Sequence, residues 1–189
     1  QPGRLKHLLQ SPFTLHTTLL KWIARETDRA KQGKPAHIIA KMNALLEPQI
    51  IRALYKASQA GVKIDLIVRG PCALRPGIAG LSEHIRVRSI IGRFLEHSRI
   101  FYFLNDGDDR VFLSSADWMD RNFFRRIEVA FPVLDPVLRR RLIDEGLRPY
   151  LDDNTHAWIL HRDGTYKRQT PGRGAARSAQ QWLMNRLVT

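Results

Sequence analysis

Two short apolar runs separated by an amphipathic helix constrain the fold of this chain more than any other feature. Residues 37–42, His37-Ile38-Ile39-Ala40-Lys41-Met42, read as a buried strand. Pro48 opens a helix with Ile50, Ile51, Leu54 and Tyr55 on one face, and Gly61 stands just past its end. Over 62–68, Val62, Ile64, Leu66 and Val68 alternate in strand period. Strands joined through a helix lie side by side in parallel, since a tight turn can only reverse direction. The pattern therefore predicts an α/β fold.

The rest of the chain fits that class. Ser11-Pro12-Phe13-Thr14 opens an earlier helix with Leu15, Leu19, Leu20, Ile23 and Ala24 at helical spacing, stopped by Gly33-Lys34-Pro35. A strand is expected over 85–90, and a hairpin over 99–113 around Asn105-Asp106-Gly107-Asp108-Asp109. A further strand covers 126–133, and a helix covers 136–150 with Val137, Leu138, Leu142 and Leu147 facing inward. Residues 157–160 and 166–168, joined through Asp163-Gly164, make a small terminal hairpin. The expected architecture is a mixed, mostly parallel sheet flanked by helices over residues 1–169. A flexible basic linker over 170–177 and a short amphipathic helix over 182–187 complete a tail, 170–189. At 189 residues the chain can bury a core unaided. The lone Cys72 excludes an internal disulfide framework and a cysteine zinc cluster. No apolar stretch approaches the roughly 20 residues that span a bilayer. The N-terminal Gln1-Pro2-Gly3-Arg4-Leu5-Lys6-His7 carries no signal-type apolar segment and no initiator Met, so a piece of a longer protein is expected.

Charge then points to chemistry. Lys and Arg number 31 against 18 Asp and Glu, a net +13 that predicts a polyanionic partner. Arg69 and Arg75 fall in the breaker-rich loop after 62–68, at the carboxyl end of a strand where open α/β sheets bind ligands. Arg93 and Arg99 flank His97, and Arg121, Arg125 and Arg126 precede a later strand. The planar guanidinium fork suits phosphate. Lys41 and Asn43 end the first strand, as phosphate ligands or as a plain polar terminus. Ser114-Ser115-Ala116-Asp117 reads equally as a helix cap. His97 stands just before an apolar strand; a guanidinium beside an imidazole disfavours a second positive charge, which suits a neutral base or nucleophile. A histidine bound to loop backbone is the plainer alternative, and Glu96 could oppose the trend. Neither a Walker loop nor a dinucleotide fingerprint occurs, and the histidines and acids make no metal-binding pattern.

Several stretches closely resemble signatures of bacterial type 1 polyphosphate kinase: Ala40-Lys41-Met42-Asn43, Arg69-Gly70, Cys72-Ala73-Leu74-Arg75-Pro76-Gly77, Gly92-Arg93-Phe94-Leu95-Glu96-His97-Ser98-Arg99-Ile100, Ser114-Ser115-Ala116-Asp117-Trp118-Met119 and Arg121-Asn122. The resemblance runs from about Leu8 to the terminal hairpin and implies the C-terminal, phospholipase D-like domain of a larger enzyme. That family moves the terminal phosphate of ATP reversibly onto inorganic polyphosphate, with Mg2+, through a phosphohistidine. The resemblance implies that the phosphohistidine and the Mg2+-associated residues lie in the preceding domain of the polypeptide, so the isolated chain is expected to be inactive. It makes His97 the catalytic histidine of this half, and Arg69 and Arg126 contacts to nucleotide or phosphate. Arg75, Lys41 and Asn43 join them as candidate phosphate ligands. ATP or ADP and polyphosphate are the implied partners, with no specific nucleic acid. The intact enzyme is expected to be a cytoplasmic homo-oligomer, and peripheral attachment at the inner membrane is compatible with that. The alternative is a phospholipase D-like phosphodiesterase or nuclease that pairs two copies of His97 in a dimer. Against it, Arg99 and Ser114-Ser115 stand where that chemistry wants Lys and Gly-Ser. A basic nucleic-acid-binding module ranks third.

Overall fold

A computed structural model describes residues 7–188; the N-terminal stretch 1–6, where no signal segment was expected, lies outside the described residues, as does 189. The parallel unit foreseen from the alternating runs forms its centre. Strand β2 (His37–Met42) pairs in parallel with β3 (Lys63–Val68), from His37 opposite Lys63 to Met42 opposite Val68. Helix α2 (Pro48–Gln59) crosses between them, with Pro48 in its first turn and the Glu47 carboxylate accepting from the amides of Gln49 and Ile50. Strand β4 (Ile85–Ile90) extends the parallel part beyond β3.

Parallel pairing stops there. The nine strands lie in the order β1-β7-β6-β5-β2-β3-β4-β8-β9, adding β1 (Leu9–Gln10), β5 (Ile100–Phe103), β6 (Arg110–Ser114), β7 (Val129–Pro132), β8 (Ala157–Leu160) and β9 (Tyr166–Arg168). The sheet is mixed and flanked by helices, but parallel pairing is confined to β2–β3 and β3–β4, a correction to the mostly parallel sheet expected. The reason lies in the connections. Segment 91–99 leaves β4 and enters β5 at the same sheet edge, so β5 runs antiparallel to β2, with Lys41 opposite Ile100. Hairpins then set β6 against β5 and β9 against β8.

Alternation along the strands divides the core between two faces. Ile38, Ala40, Met42, Ile64, Leu66 and Val68 pack under α2 and α1 (Leu15–Lys31), whose Leu15, Leu19 and Ile23 are buried. Ile39, Ile67, Ile90 and Ile100 face the other way. That face is covered by the chain from α4 (Pro136–Arg141) through a wider π-helical segment, Leu142–Leu147, into α5 (Arg148–Asp152). The π turn shifts the phase of the helix. Ile143, Leu147 and Tyr150 face the sheet, whereas Val137 and Leu138, expected inward, are exposed.

The tail runs back over the same face. The Asn154 amide donates to the Arg177 carbonyl at 3.0 Å, Asn154 Oδ1 accepts from the Arg177 amide at 2.7 Å, and α6 (Ala179–Leu187) begins with Ala179 and Gln180 buried.

Candidate active site

Because β5 opposes β2 and pairs with β6, one sheet edge gathers the ends of β2, β3, β4 and β6 and the start of β5. Asn43, Arg69, His97, Arg99 and Asp117 meet there from separate segments. Asp117 is the hub. Its carboxylate takes a two-pronged pair from Arg99, Nε to Oδ1 at 3.1 Å and Nη2 to Oδ2 at 3.0 Å. It also accepts from the Asn43 backbone amide at 2.7 Å and from Asn43 Nδ2 at 3.1 Å. Burial would raise the Asp117 pKa, but the Arg99 and Asn43 hydrogen bonds outweigh it and hold the carboxyl below the usual range.

Asn43 passes this order on. Its Oδ1 accepts from Arg69 Nε at 2.9 Å, and its backbone oxygen accepts from the Gly70 amide at 2.7 Å. A Cβ on Gly70 would sit 2.9 Å from that oxygen, so the close approach requires glycine. The terminal amino groups of Arg69 carry no hydrogen bond among the described residues, so its guanidinium is aimed yet has donors to spare. His97 is exposed, with Nε2 3.5 Å from Arg99 Nη2, and Arg99 Nη1 donates to the His97 carbonyl at 3.2 Å. His97 lies in the loop rather than on the strand, and the two side chains meet through loop curvature. The same Arg99 guanidinium is paired with Asp117.

A second cluster stands behind the loop. Lys41 Nζ is buried, donates to Glu96 Oε2 at 2.7 Å and lies 3.5 Å from the centre of the Tyr150 ring. Burial lowers the Lys41 pKa, partly offset by Glu96. Burial, reinforced by the hydrogen bond to Glu96, pushes the Tyr150 hydroxyl up. Gln180 Nε2 donates to Glu96 Oε1 at 2.8 Å.

The model for polyphosphate kinase C-terminal domain 2 matches residues 8–181. The chain belongs to that family. The polyphosphate kinase of Neisseria meningitidis serogroup B is 64% identical over 174 residues, 92% of this chain and 25% of that protein. The polyphosphate kinase of Paraburkholderia phytofirmans is 60% identical over 186 residues, 98% of this chain and 27% of that one. The crystal structure of polyphosphate kinase from Porphyromonas gingivalis superposes with a TM-score of 0.95 at 41% identity, covering 100% of this chain and 29% of that chain. The chain thus spans about a quarter of the length of the curated relatives it matches. Nuc, a phospholipase D family member from Salmonella typhimurium, superposes with a TM-score of 0.57 at 17% identity over 82% of this chain and 96% of that one. At that identity the likeness is one of fold.

Within this polyphosphate kinase domain the candidate residues divide. Arg69, His97, Lys41 and Asn43 share the sheet edge, the last two with their polar groups already engaged. Arg75 and Arg126 are exposed, and their side chains carry no hydrogen bond or ion pair among the described residues. The Arg75 backbone turns toward α2, its amide bonded to the Tyr55 hydroxyl at 2.9 Å. Asp117 is no helix cap: α3 (Asp120–Phe124) starts at Met119 without a side-chain cap. Its partner Arg99 lies across the sheet edge, a pairing that no local spacing announces. Gln180 and Tyr150 were missed altogether, since nothing in α5 or α6 as sequence ties them to segment 91–99.

Proposed function

We propose that this domain supplies one wall of the active site of a polyphosphate kinase, which transfers the terminal phosphate of ATP reversibly onto inorganic polyphosphate. In the first step a histidine of the preceding domain attacks the terminal phosphorus; an N–P bond forms, the bridging P–O bond breaks, and ADP leaves. In the second, the terminal oxygen of polyphosphate attacks that phosphorus, the N–P bond breaks, and the polymer is one phosphate longer. His97 faces this exchange as the group that protonates the departing oxygen or steadies the phosphohistidine, and Arg69 neutralises phosphate charge. Arg75 and Arg126, exposed and with no side-chain partner among the described residues, extend the basic track for nucleotide or polymer.

The observation that carries this reading is the way Arg69 is held: fixed through Nε by Asn43, its terminal donors without a partner among the described residues, at the sheet edge that presents the exposed His97 ring. Mg2+ supplies charge neutralisation on the transferred phosphates when bound. The nearby acids do not suit it: Asp117 and Glu96 are paired with Arg99 and Lys41, and among the described residues no group of three His, Cys, Asp or Glu could hold a metal ion. That its ligands lie in the preceding domain is part of the proposal and follows from the family resemblance. No helix among the described residues is long and apolar enough to cross a membrane.

The test is titration of the purified chain with polyphosphate at physiological salt, with DNA at equal phosphate as competitor. Selective polyphosphate binding, weakened by Arg69→Ala and by His97→Ala, is expected. Equal competition by DNA, with neither substitution having an effect, would leave only the non-specific pull of the +13 charge. Diester cleavage by the chain alone, lost in His97→Ala, would point instead to the phosphodiesterase.

A further inference from the structure

The nine residues between β4 and β5 carry His97, yet residues 92–98 make no backbone–backbone hydrogen bond among the described residues. Their shape is held by side chains from behind. The Gln180 amide acts like a neighbouring strand: Oε1 accepts from the Phe94 amide at 3.0 Å, and Nε2 donates to the Phe94 carbonyl at 2.8 Å. The second Nε2 hydrogen goes to Glu96 Oε1 at 2.8 Å, and the other oxygen of Glu96 takes Lys41 at 2.7 Å. Gly92 fits because a Cβ there would stand 2.5 Å from Gln180 Oε1. Lys41 projects from β2 and Gln180 from α6, so Glu96, the residue before His97, is gripped from the sheet and from the C-terminal helix.

We infer that Lys41, Glu96 and Gln180 form a positioning unit that sets His97, with α6 as its latch, and that Lys41 is not a phosphate ligand. The Lys41 side chain is 3% exposed, with its ammonium on Glu96 and the Tyr150 ring. Arg99, clamped by Asp117, fixes the other side of His97. The histidine is thus held between two ion pairs while its own ring stays open to substrate. A displacement of about 1 Å at such a group can cost about a hundredfold in rate, which gives the latch its importance. The inference rests on the reading of His97 above.

The test uses the intact polyphosphate kinase carrying this domain, with Gln180→Ala, Lys41→Met, the double variant, and His97→Ala alongside. Each single variant is expected to lose about tenfold or more in kcat while KM for polyphosphate shifts by less than about twofold. The double variant is expected to be no slower than the worse single one, because both act through Glu96. Hydrogen exchange at the Phe94 amide should quicken in Gln180→Ala. A raised KM at unchanged kcat in Lys41→Met would make Lys41 a ligand and overturn the inference. So would wild-type kcat in Gln180→Ala, or effects that simply multiply in the double variant. If Lys41→Met does not fold, Gln180→Ala decides through kcat and Phe94 exchange, since it leaves no charge buried alone. Full activity in His97→Ala would remove the reading of His97 itself; an inactive His97→Ala beside a fully active Gln180→Ala would refute the latch alone.

Discussion

Asp117 grips Arg99 with both carboxylate oxygens, at 3.1 and 3.0 Å, and the same guanidinium reaches the carbonyl and ring of His97 two residues away. An acid that touches no substrate in our reading thus orders the residues around His97. It holds Arg99 directly, and through Asn43 it fixes the plane of Arg69.

Removing that acid is therefore costly. In Asp117→Ala the guanidinium of Arg99, whose side chain is 13% exposed, is left without its counter-charge. We predict a loss of about 3–5 kcal/mol, the range for breaking a buried pair from one side. Denaturant unfolding of the domain checks it; a loss below about 1 kcal/mol, the range of a surface pair, would contradict it.

The same pair predicts a pH dependence. The folded pKa of Asp117 lies below its ordinary 3.8, so the unfolded chain takes up this proton first as pH falls. The stabilisation is complete above the ordinary value and is lost as pH drops through the lowered folded value. Asp117→Asn should be less stable than the parent at neutral pH, and the gap should narrow at acid pH. Unfolding midpoints between pH 7 and pH 2 measure this; a gap that stays constant would assign the effect to shape rather than charge.

Gly92→Ala tests the packing beneath the His97 loop. The new methyl meets the Gln180 amide, which its three hydrogen bonds keep from moving aside. A destabilisation of about 1–3 kcal/mol is expected from such overpacking. Adding Gln180→Ala should recover part of it, a coupling that a double-mutant cycle reads directly. Strict additivity would mean that the two residues do not meet.

Arg140 offers the contrast. It makes an exposed i,i+4 pair with Asp144 at 2.8 Å on the outer surface of α4. Arg140→Ala should change stability by no more than about 0.5 kcal/mol. A larger loss in the same unfolding experiment would give that surface a structural role not visible in its contacts.

These effects also mark what the sequence discloses. Period-two and period-3.6 patterns place β2, α2 and β3 within a residue or so, because burial on a repeating face leaves a repeating signal. The two-residue β1 escapes, being too short to show a period. Val137 and Leu138 were misplaced because a π turn breaks helical phase without any distinctive residue. In the site, Arg69 and His97 stand out through residue type and family resemblance. Asp117 and Gln180 matter through partners 18 and 86 residues away, contacts that sheet order and tail docking create and local spacing does not encode.

The central claim is that His97 of this domain takes part in phosphoryl transfer. The most direct measurement is polyphosphate synthesis from ATP by the intact enzyme, comparing parent with His97→Ala and using unfolding midpoints to verify the fold. Since His97 is exposed, its truncation should leave the midpoint unchanged. We predict a loss of at least about a hundredfold in kcat, the scale of a removed acid–base group. Synthesis near the parental rate in a well-folded His97→Ala enzyme would contradict the account.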